Sequence, residues 1–303
     1  MKILLIGQKG QLGQKIYKQL TEIKYISLIC WDRQTIDLLY TESVFYKLLT
    51  IKPDIIINSA AYTNVDQAEK NIELTFRINY ILIKTLVKYS LLTKSLLVQF
   101  STDYVFDGKK NQPYTETDPT NPLNIYGHSK LASDLYILQK NCNSLIFRIS
   151  WLFSSQGNNF LLKILDQAQY KQTLRITSDQ YGSPLSANEV ASISTKLILE
   201  LYKHKKNGAH LYHISINNIM SRYSLAKSFL TKIKNESKTI KIKCNKIIPI
   251  KYLNYDDKTQ RPRNSALKAN EIIQKHCFLP NINKCIYETI EEIKIKQQDK
   301  NDY

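Results

Sequence analysis

Met1-Lys2-Ile3-Leu4-Leu5-Ile6, running directly into Gly7-Gln8-Lys9-Gly10-Gln11-Leu12-Gly13, decides the fold class of this chain. A short apolar run ends in a glycine-rich turn, and the spacing of Leu12, Ile16 and Leu20 then marks a helix. Strand, turn and helix in that order open a βαβ unit, whose helix N-terminus offers backbone N–H groups to a pyrophosphate. The spacing is G-x-x-G-x-x-G, not the G-x-G-x-x-G of many dehydrogenases, so a turn that binds nothing remains the competing reading here. The next apolar run, 26–31, closes on Asp32-Arg33, where the adenosine ribose of a dinucleotide belongs. Asp32 suits ribose hydroxyls and Arg33 suits a 2′-phosphate, while either also serves as a solvated loop charge. The choice between NADPH and NADH stays open.

Working outward, apolar runs at 2–6, 26–31, 54–58, 95–100 and 144–149 read as strands. Helical patterns lie near 11–22, 41–51, 68–91 and 124–140. The strands are almost continuously apolar, as in a parallel sheet covered on both faces. This predicts an α/β, Rossmann-type doubly wound parallel sheet over residues 1–150. Residues 151–303 are expected to form mainly a smaller C-terminal substrate-binding lobe, with some segments returning to the first domain. The stretch 283–303 reads as an amphipathic helix fading into a polar tail. Ligands of such sheets bind beyond the carboxyl ends of the strands. The chemically interesting residues fall there: Gly7 to Gly13, Ser59 to Thr63, Ser101-Thr102-Asp103-Tyr104 and Arg148-Ile149-Ser150-Trp151.

Composition excludes several classes. A chain of 303 residues, 43% of them hydrophobic, can bury a large core. No segment approaches the ~18 uninterrupted apolar residues of a membrane span. The first residues enter a strand without a signal-peptide pattern. Cys30, Cys142, Cys244, Cys277 and Cys285 are odd in number and scattered, which favours reduced thiols, a cytoplasmic setting and no cysteine metal site. The net charge of +17 raises the question of nucleic acid, but Arg supplies only 7 of the 43 basic residues and the lysines are spread throughout. Arginine is the residue favoured for bidentate phosphate recognition, so the charge reads as compositional bias that still helps attract an anionic small molecule.

Tyr126-Gly127-His128-Ser129-Lys130 carries the chemistry. Residues four apart share a helix face, so the Tyr126 phenol and the Lys130 ammonium can serve one site. A free phenol titrates near ~10, and a neighbouring cation lowers that value. The pair can therefore hand a proton to a developing alkoxide.

With these elements in place, the chain resembles the dTDP-4-dehydrorhamnose reductases, a family of extended short-chain dehydrogenases/reductases. The matching segments are GQKGQLG at 7–13, PDIIINSAAYTNVDQAE at 53–69, STDYVFDG at 101–108, the stretch 114–134 containing YGHSKLASD, FRISWLF at 147–153, GNNF at 157–160, DQYGSP at 179–184 and RPRNSAL at 261–267. They run in order over nearly the whole chain. The resemblance implies hydride transfer from NADPH or NADH to the C4 ketone of a nucleotide-linked 4-keto-6-deoxyhexose, yielding dTDP-L-rhamnose for polysaccharides such as lipopolysaccharide O-antigen. It gives Tyr126 the role of proton donor, while Lys130 holds the nicotinamide ribose and keeps the phenol pKa low. Thr102 polarises the C4 oxygen. Asp103 and Trp151 match sugar-nucleotide contacts, with core packing the alternative for Trp151. Gly10, Gln11, Leu12, Asp32, Asp37, Leu38, Ala61, Tyr62 and Thr63 match cofactor contacts.

Some relatives form dimers through Mg²⁺ held by acidic side chains. The corresponding positions here are Lys15, Glu189 and either Glu291 or Glu292. An ammonium at the first repels a cation, so we expect no metal, no nucleic acid or membrane partner, and a monomer or metal-independent homodimer. Two other readings stay in play: a reductase of a related nucleotide 4-keto-6-deoxy sugar, and a non-catalytic regulatory subunit of the methionine adenosyltransferase type. Asp103-Tyr104, standing where a dehydratase carries Asp-Glu, argues against dehydration.

Overall fold

Successive side chains of Ile3-Leu4-Leu5-Ile6 go to opposite faces of a strand, and all four are fully buried. The computed structural model describes residues 1–204, 207–216, 218–237, 239–252, 259–277, 279 and 281–301. The first half contains β1 (Lys2–Ile6), α1 (Gln11–Thr21), β2 (Ser27–Trp31), α2 (Thr41–Ile51), β3 (Ile55–Asn58), α3 (Val65–Ala68), α4 (Ile72–Phe76), α5 (Leu82–Thr93), β4 (Leu96–Thr102), α6 (Ile125–Lys140) and β5 (Ser144–Ile149). The second half contains β6 (Leu152–Phe153), α7 (Phe160–Tyr170), β7 (Thr173–Thr177), β8 (Tyr181–Gly182), β9 (Leu185–Ser186), α8 (Ala187–Lys203), β10 (Ala209–Ile214), β11 (Met220–Ser221), α9 (Arg222–Glu236), β12 (Lys246–Ile250), α10 (Glu271–His276) and α11 (Ile282–Asn301).

The main sheet is parallel throughout, in the order β10-β5-β4-β3-β1-β2. The chain leaves β1 for β2 on one side and crosses to β3 on the other, so the topological switch point lies between β1 and β3. One face carries Ile3, Leu5, Ile55, Ile57, Val98 and Phe147, packed with residues of α1, α7, α8 and α9. The other carries Leu4, Ile6, Ile56, Leu97 and Ile146, packed with residues of α2, α5 and α6. Truncating such a side chain, as in Leu5→Ala, costs roughly 2–5 kcal/mol. Both α8, which lies on α1, and β10, which pairs with β5, come from the second half of the sequence and complete the layers of the first.

The single helix expected over 68–91 is broken. Asn71 leaves helical geometry to cap α4, and residues Arg77–Ile81 form a π-turn before α5. The apolar spacing read across both because the chain keeps its direction through the π-turn. That turn aims Asn79 inward, where it is 1% exposed. The stretch 283–303, expected as a helix fading into a polar tail, is helical as far as Asn301; residues 302–303 lie outside the described residues. Among the described residues no helix is long and apolar enough to cross a membrane, and the five cysteines are free thiols.

Candidate active site

Beyond β1 the chain turns through Gly7, at φ +85°, against the backbone that follows β3. A Cβ on Gly7 would lie 2.7 Å from the Ala60 nitrogen, so only glycine closes this switch point. Gly10 stands at the N-cap of α1 with no capping side chain, leaving the N–H groups of that turn for an anion. Gly13 and Leu12 are buried, Leu12 within the core, so both face a ligand through backbone alone. Gln11 reaches sideways: its Oε1 accepts from Ser154 Oγ and Asn159 Nδ2, each at 3.0 Å. The 154–159 loop thereby lies across the start of α1. This glycine cradle, open to solvent and uncapped, fits a dinucleotide pyrophosphate.

At the end of β2, the Lys9 ammonium lies 2.7 Å from the Asp32 carboxylate. Asp32 also accepts from the Gln34 and Thr35 amides at 2.9 and 3.0 Å. The Lys9 hydrogen bond is the largest influence holding this carboxyl down to about 2. Arg33 is exposed on the rim of a shallow cavity it shares with Asp37 and Lys47. Asp37 accepts from the Leu39 amide at 2.9 Å, and Leu38 packs on the second core face. Ala61, Tyr62 and Thr63 follow β3. Tyr62 is pinned there by Asn79, which accepts from its amide at 2.8 Å and donates to its carbonyl at 3.1 Å. Asn79 also donates to Ser129 Oγ in α6, tying the cofactor-side loop to the YGHSK helix.

Asn124 caps α6, its side chain accepting from the Gly127 amide at 2.8 Å. A Cβ on Gly127 would meet the Tyr104 carbonyl oxygen at 2.3 Å; glycine here lets α6 lie against the turn after β4. Tyr126 is thereby brought to Thr102, whose hydroxyl lies within hydrogen-bonding reach of the phenol. Burial holds the phenol well above its ordinary value, only partly offset by Thr102. Lys130 is 2% exposed and donates to the Phe100 carbonyl oxygen at 2.6 Å. Burial lowers it to about 8, against the opposing field of Asp134. The phenol is therefore raised where a cation-lowered one was expected: burial is the largest cause, and the Lys130 ammonium is turned to the strand. His128 is exposed.

Asp103 is 3% exposed. Its carboxylate accepts from Ser265 Oγ at 2.5 Å, Ser150 Oγ at 2.9 Å and Thr102 Oγ1 at 3.1 Å. Burial raises it to about 6 despite these donors. It thus ties the turn after β4 to the end of β5 and to the RPRNS segment. Trp151, just beyond β5, adopts a left-handed φ of +45° and carries the Arg222 guanidinium 3.8 Å from its ring centroid. Underneath, Asp134 pairs with Arg148 Nε at 3.0 Å and accepts from Ser101 Oγ at 2.8 Å, riveting α6 to the sheet.

The magnesium positions do not fit a cation. Lys15 Nζ lies 2.7 and 2.8 Å from the two Glu292 oxygens, and Glu292 also accepts from Ser155 Oγ at 2.6 Å and Asn188 Nδ2 at 2.8 Å. Burial opposes ionisation of Glu292, but these donors together hold its carboxyl below the usual value. Glu291 pairs with Lys294 at 2.6 Å. Among the described residues no group of three or more His, Cys, Asp or Glu side chains could hold a metal ion.

Sequence reasoning gave no individual role to Lys9, Asn79, Asp134, Ser150, Ser265 or Arg222. For Arg148, Arg222 and Arg261 a signal existed: in so lysine-rich a chain, an arginine marks a site needing a planar fork. Asn79 had no local signal, because a π-turn leaves the apolar pattern unchanged.

The chain matches the family described as RmlD substrate binding domain over residues 1–295. It is 32% identical over 278 residues to a dTDP-4-dehydrorhamnose reductase of Burkholderia thailandensis, covering 91% of this chain and 92% of that one. It is 34% identical over 271 residues to the Bacillus subtilis spore coat polysaccharide biosynthesis protein SpsK, covering 89% and 90%. A Bacillus anthracis dTDP-4-dehydrorhamnose reductase solved in complex with NADP superposes with a TM-score of 0.86 at 28% identity, covering 96% and 99%.

Proposed function

The chain belongs to the RmlD substrate binding domain family, and from that premise we propose that it reduces the C4 ketone of dTDP-4-dehydro-L-rhamnose to dTDP-L-rhamnose. The observation carrying this reading is the convergence of Tyr126, Thr102 and Lys130 beyond β4, across the switch point from the uncapped glycine turn. Bound NADPH or NADH provides the hydride; the NADP complex of the Bacillus anthracis relative supports the phosphorylated cofactor, as do the exposed Arg33 and the Lys9 cation beside it.

Tyr126 donates its phenolic proton to the C4 oxygen as that oxygen gains charge, turning ketone into hydroxyl, and regains a proton from solvent. Its raised pKa keeps the donor protonated across the working range. Thr102 turns its hydroxyl from Asp103 to the same oxygen and stabilises the developing charge. Lys130, which donates to the Phe100 carbonyl here, would hold the ribose of a bound cofactor and offset the tyrosinate. Asp103 orients Thr102 through its accepting carboxylate, and Trp151 walls the sugar side. With Lys15 occupying Glu292, the enzyme acts without a metal, as a monomer or a metal-independent homodimer.

The test supplies dTDP-4-keto-L-rhamnose with each reduced cofactor, follows loss of nicotinamide absorbance and identifies the product by NMR. We expect rhamnose stereochemistry at C4, and a roughly 10²–10⁴-fold loss of kcat in Tyr126→Phe. A different C4 epimer, or full turnover by the Phe variant, overturns the reading.

A further inference from the structure

Tyr126, Lys130 and Asp134 follow one another at intervals of four along α6, so a phenol, an ammonium and a carboxylate occupy successive turns of one helix face. β4 anchors the two charges at consecutive residues. The Lys130 ammonium donates to the Phe100 carbonyl oxygen at 2.6 Å, and Ser101 Oγ donates to Asp134 Oδ2 at 2.8 Å. Arg148 lies opposite Ser101 in the β4–β5 register and donates through Nε to the same Oδ2 at 3.0 Å. Both donors thus come to one oxygen. Among the described residues neither Asp134 Oδ1 nor Arg148 Nη1 has a hydrogen-bond partner, although both atoms are buried. A guanidinium fork that engaged both oxygens would answer the carboxylate more fully. Asp134 is 0% exposed, so little water screens the charge this single-oxygen pairing leaves over.

Other charged groups meet α6 from each element packed on it. Glu69 accepts from the Ile125 amide at its first turn. Glu69, Glu73, Arg77, Lys84 and Lys88, on the α3–α5 side, are exposed, as are His128 and Lys140 of α6 itself, and solvent and salt weaken their fields. From the sheet come Arg148 and His213, opposite one another on β5 and β10. Burial holds the His213 imidazole well below its ordinary value, so it is neutral. Asp103 and Tyr104 stand in the turn after β4, where both act on Tyr126. At Lys130 burial favours the neutral amine, and Asp134 is the charge that opposes it.

We propose that Asp134 is a positioning residue for the reduction: its carboxylate, fixed on Ser101 and Arg148, keeps Lys130 an ammonium seated one turn from Tyr126. Being fully buried, Asp134 acts through Lys130 and not on the reacting atoms. The inference rests on the reductase reading for the use made of that ammonium. A carboxylate needed only to hold α6 on the sheet could be replaced by an amide, which still offers Ser101 an acceptor; one needed for its charge could not.

The experiment labels lysine isotopically at Cε and follows the Lys130 NMR resonance, identified by its loss in Lys130→Met, as pH is raised. The pH profile of kcat/KM is measured alongside. The parent should titrate near about 8. Asp134→Asn should lower that midpoint by about one pH unit, and the alkaline limb of kcat/KM should move with it. This variant leaves Arg148 buried without its counter-charge, which endangers folding. Asp134→Asn combined with Arg148→Met removes both charges together and carries the same expectation. Ser101→Ala loosens the same contact but keeps the charge, and should leave the midpoint in place. A midpoint that moves in none of these variants, or as far in Ser101→Ala as in the charge-removing ones, assigns Asp134 to holding α6 on the sheet and overturns the inference. A parent that titrates as expected yet reduces no sugar overturns the reductase reading and leaves the coupling of Asp134 to Lys130 standing.

Discussion

The Lys130 ammonium rests on the Phe100 carbonyl oxygen at 2.6 Å, and the burial of that ammonium decides how the active site titrates. Burial lowers the lysine to about 8, opposed by the field of Asp134, so below about 8 it is charged. Above it the proton is lost, and with it the cation that offsets the tyrosinate. The free enzyme should therefore show kcat/KM falling as pH rises through about 8. Lys130→Met should abolish that alkaline limb and lower the plateau. It also leaves the Phe100 carbonyl with only the longer hydrogen bond from Gln99 Nε2, at 3.3 Å, costing about 1 kcal/mol. An alkaline limb surviving in a folded Met variant would assign it elsewhere.

Asp103 controls the opposite limb. Its carboxyl, raised by burial to about 6, accepts from Thr102, Ser150 and Ser265 and is acceptor-only while ionised. Protonation below about 6 turns one acceptor position into a donor and disturbs the Thr102 hydroxyl. Activity should fall as pH drops through about 6, giving a bell between the two limbs. In Asp103→Asn, kcat/KM should lose its acid limb. The sign for stability is separate: a raised acid binds its proton more tightly in the folded state, so this group's contribution declines as pH rises from about 4 to about 6. Melting curves of parent and Asn variant across that window check the second point.

Much of the sheet and the bare site was legible because both are local. The apolar runs 2–6 and 144–149 agree with β1 and β5 to the residue. Tyr126, Lys130 and Thr102 could be placed together from sequence because one helical turn and one strand end carry them. What escaped is non-local. Ser265 meets Asp103 across 162 residues, and Arg222 meets Trp151 through a loop whose path no periodicity encodes. The sign of the Tyr126 shift escaped as well, because spacing reveals a neighbouring charge but not the depth at which the phenol lies.

Cofactor choice should depend on Lys9 as much as on Arg33. Free, the Asp32 carboxylate repels a 2′-phosphate; paired with Lys9 at 2.7 Å, it is neutralised. Arg33→Ala removes a direct cation, and Lys9→Met uncovers the repelling carboxylate. Each should weaken NADPH relative to NADH by roughly two- to fivefold, the range of an exposed charge pair. Dissociation constants from nicotinamide fluorescence give the ratio; parallel losses for both cofactors would take these residues out of 2′-phosphate selection.

Lys15 should make the protein indifferent to divalent cations. Its ammonium engages both oxygens of Glu292, while Ser155 and Asn188 donate to the same carboxylate, so α1, the 154–159 loop, α8 and α11 meet at one ion pair. Activity, sedimentation and Tm should be the same in EDTA and in MgCl₂. Lys15→Met leaves a half-buried carboxylate without its cation, for a loss of about 1–3 kcal/mol and a fall in Tm of a few degrees. Lys15→Glu is more telling. It places two carboxylates beside the Ser155 and Asn188 side chains, an oxygen-rich set suited to a hard cation. We expect that variant to melt lower than the parent in EDTA and to recover part of the difference on adding Mg²⁺, with no such recovery in Lys15→Met. A parent that loses Tm or falls apart on chelation would show that a cation acts there despite the lysine.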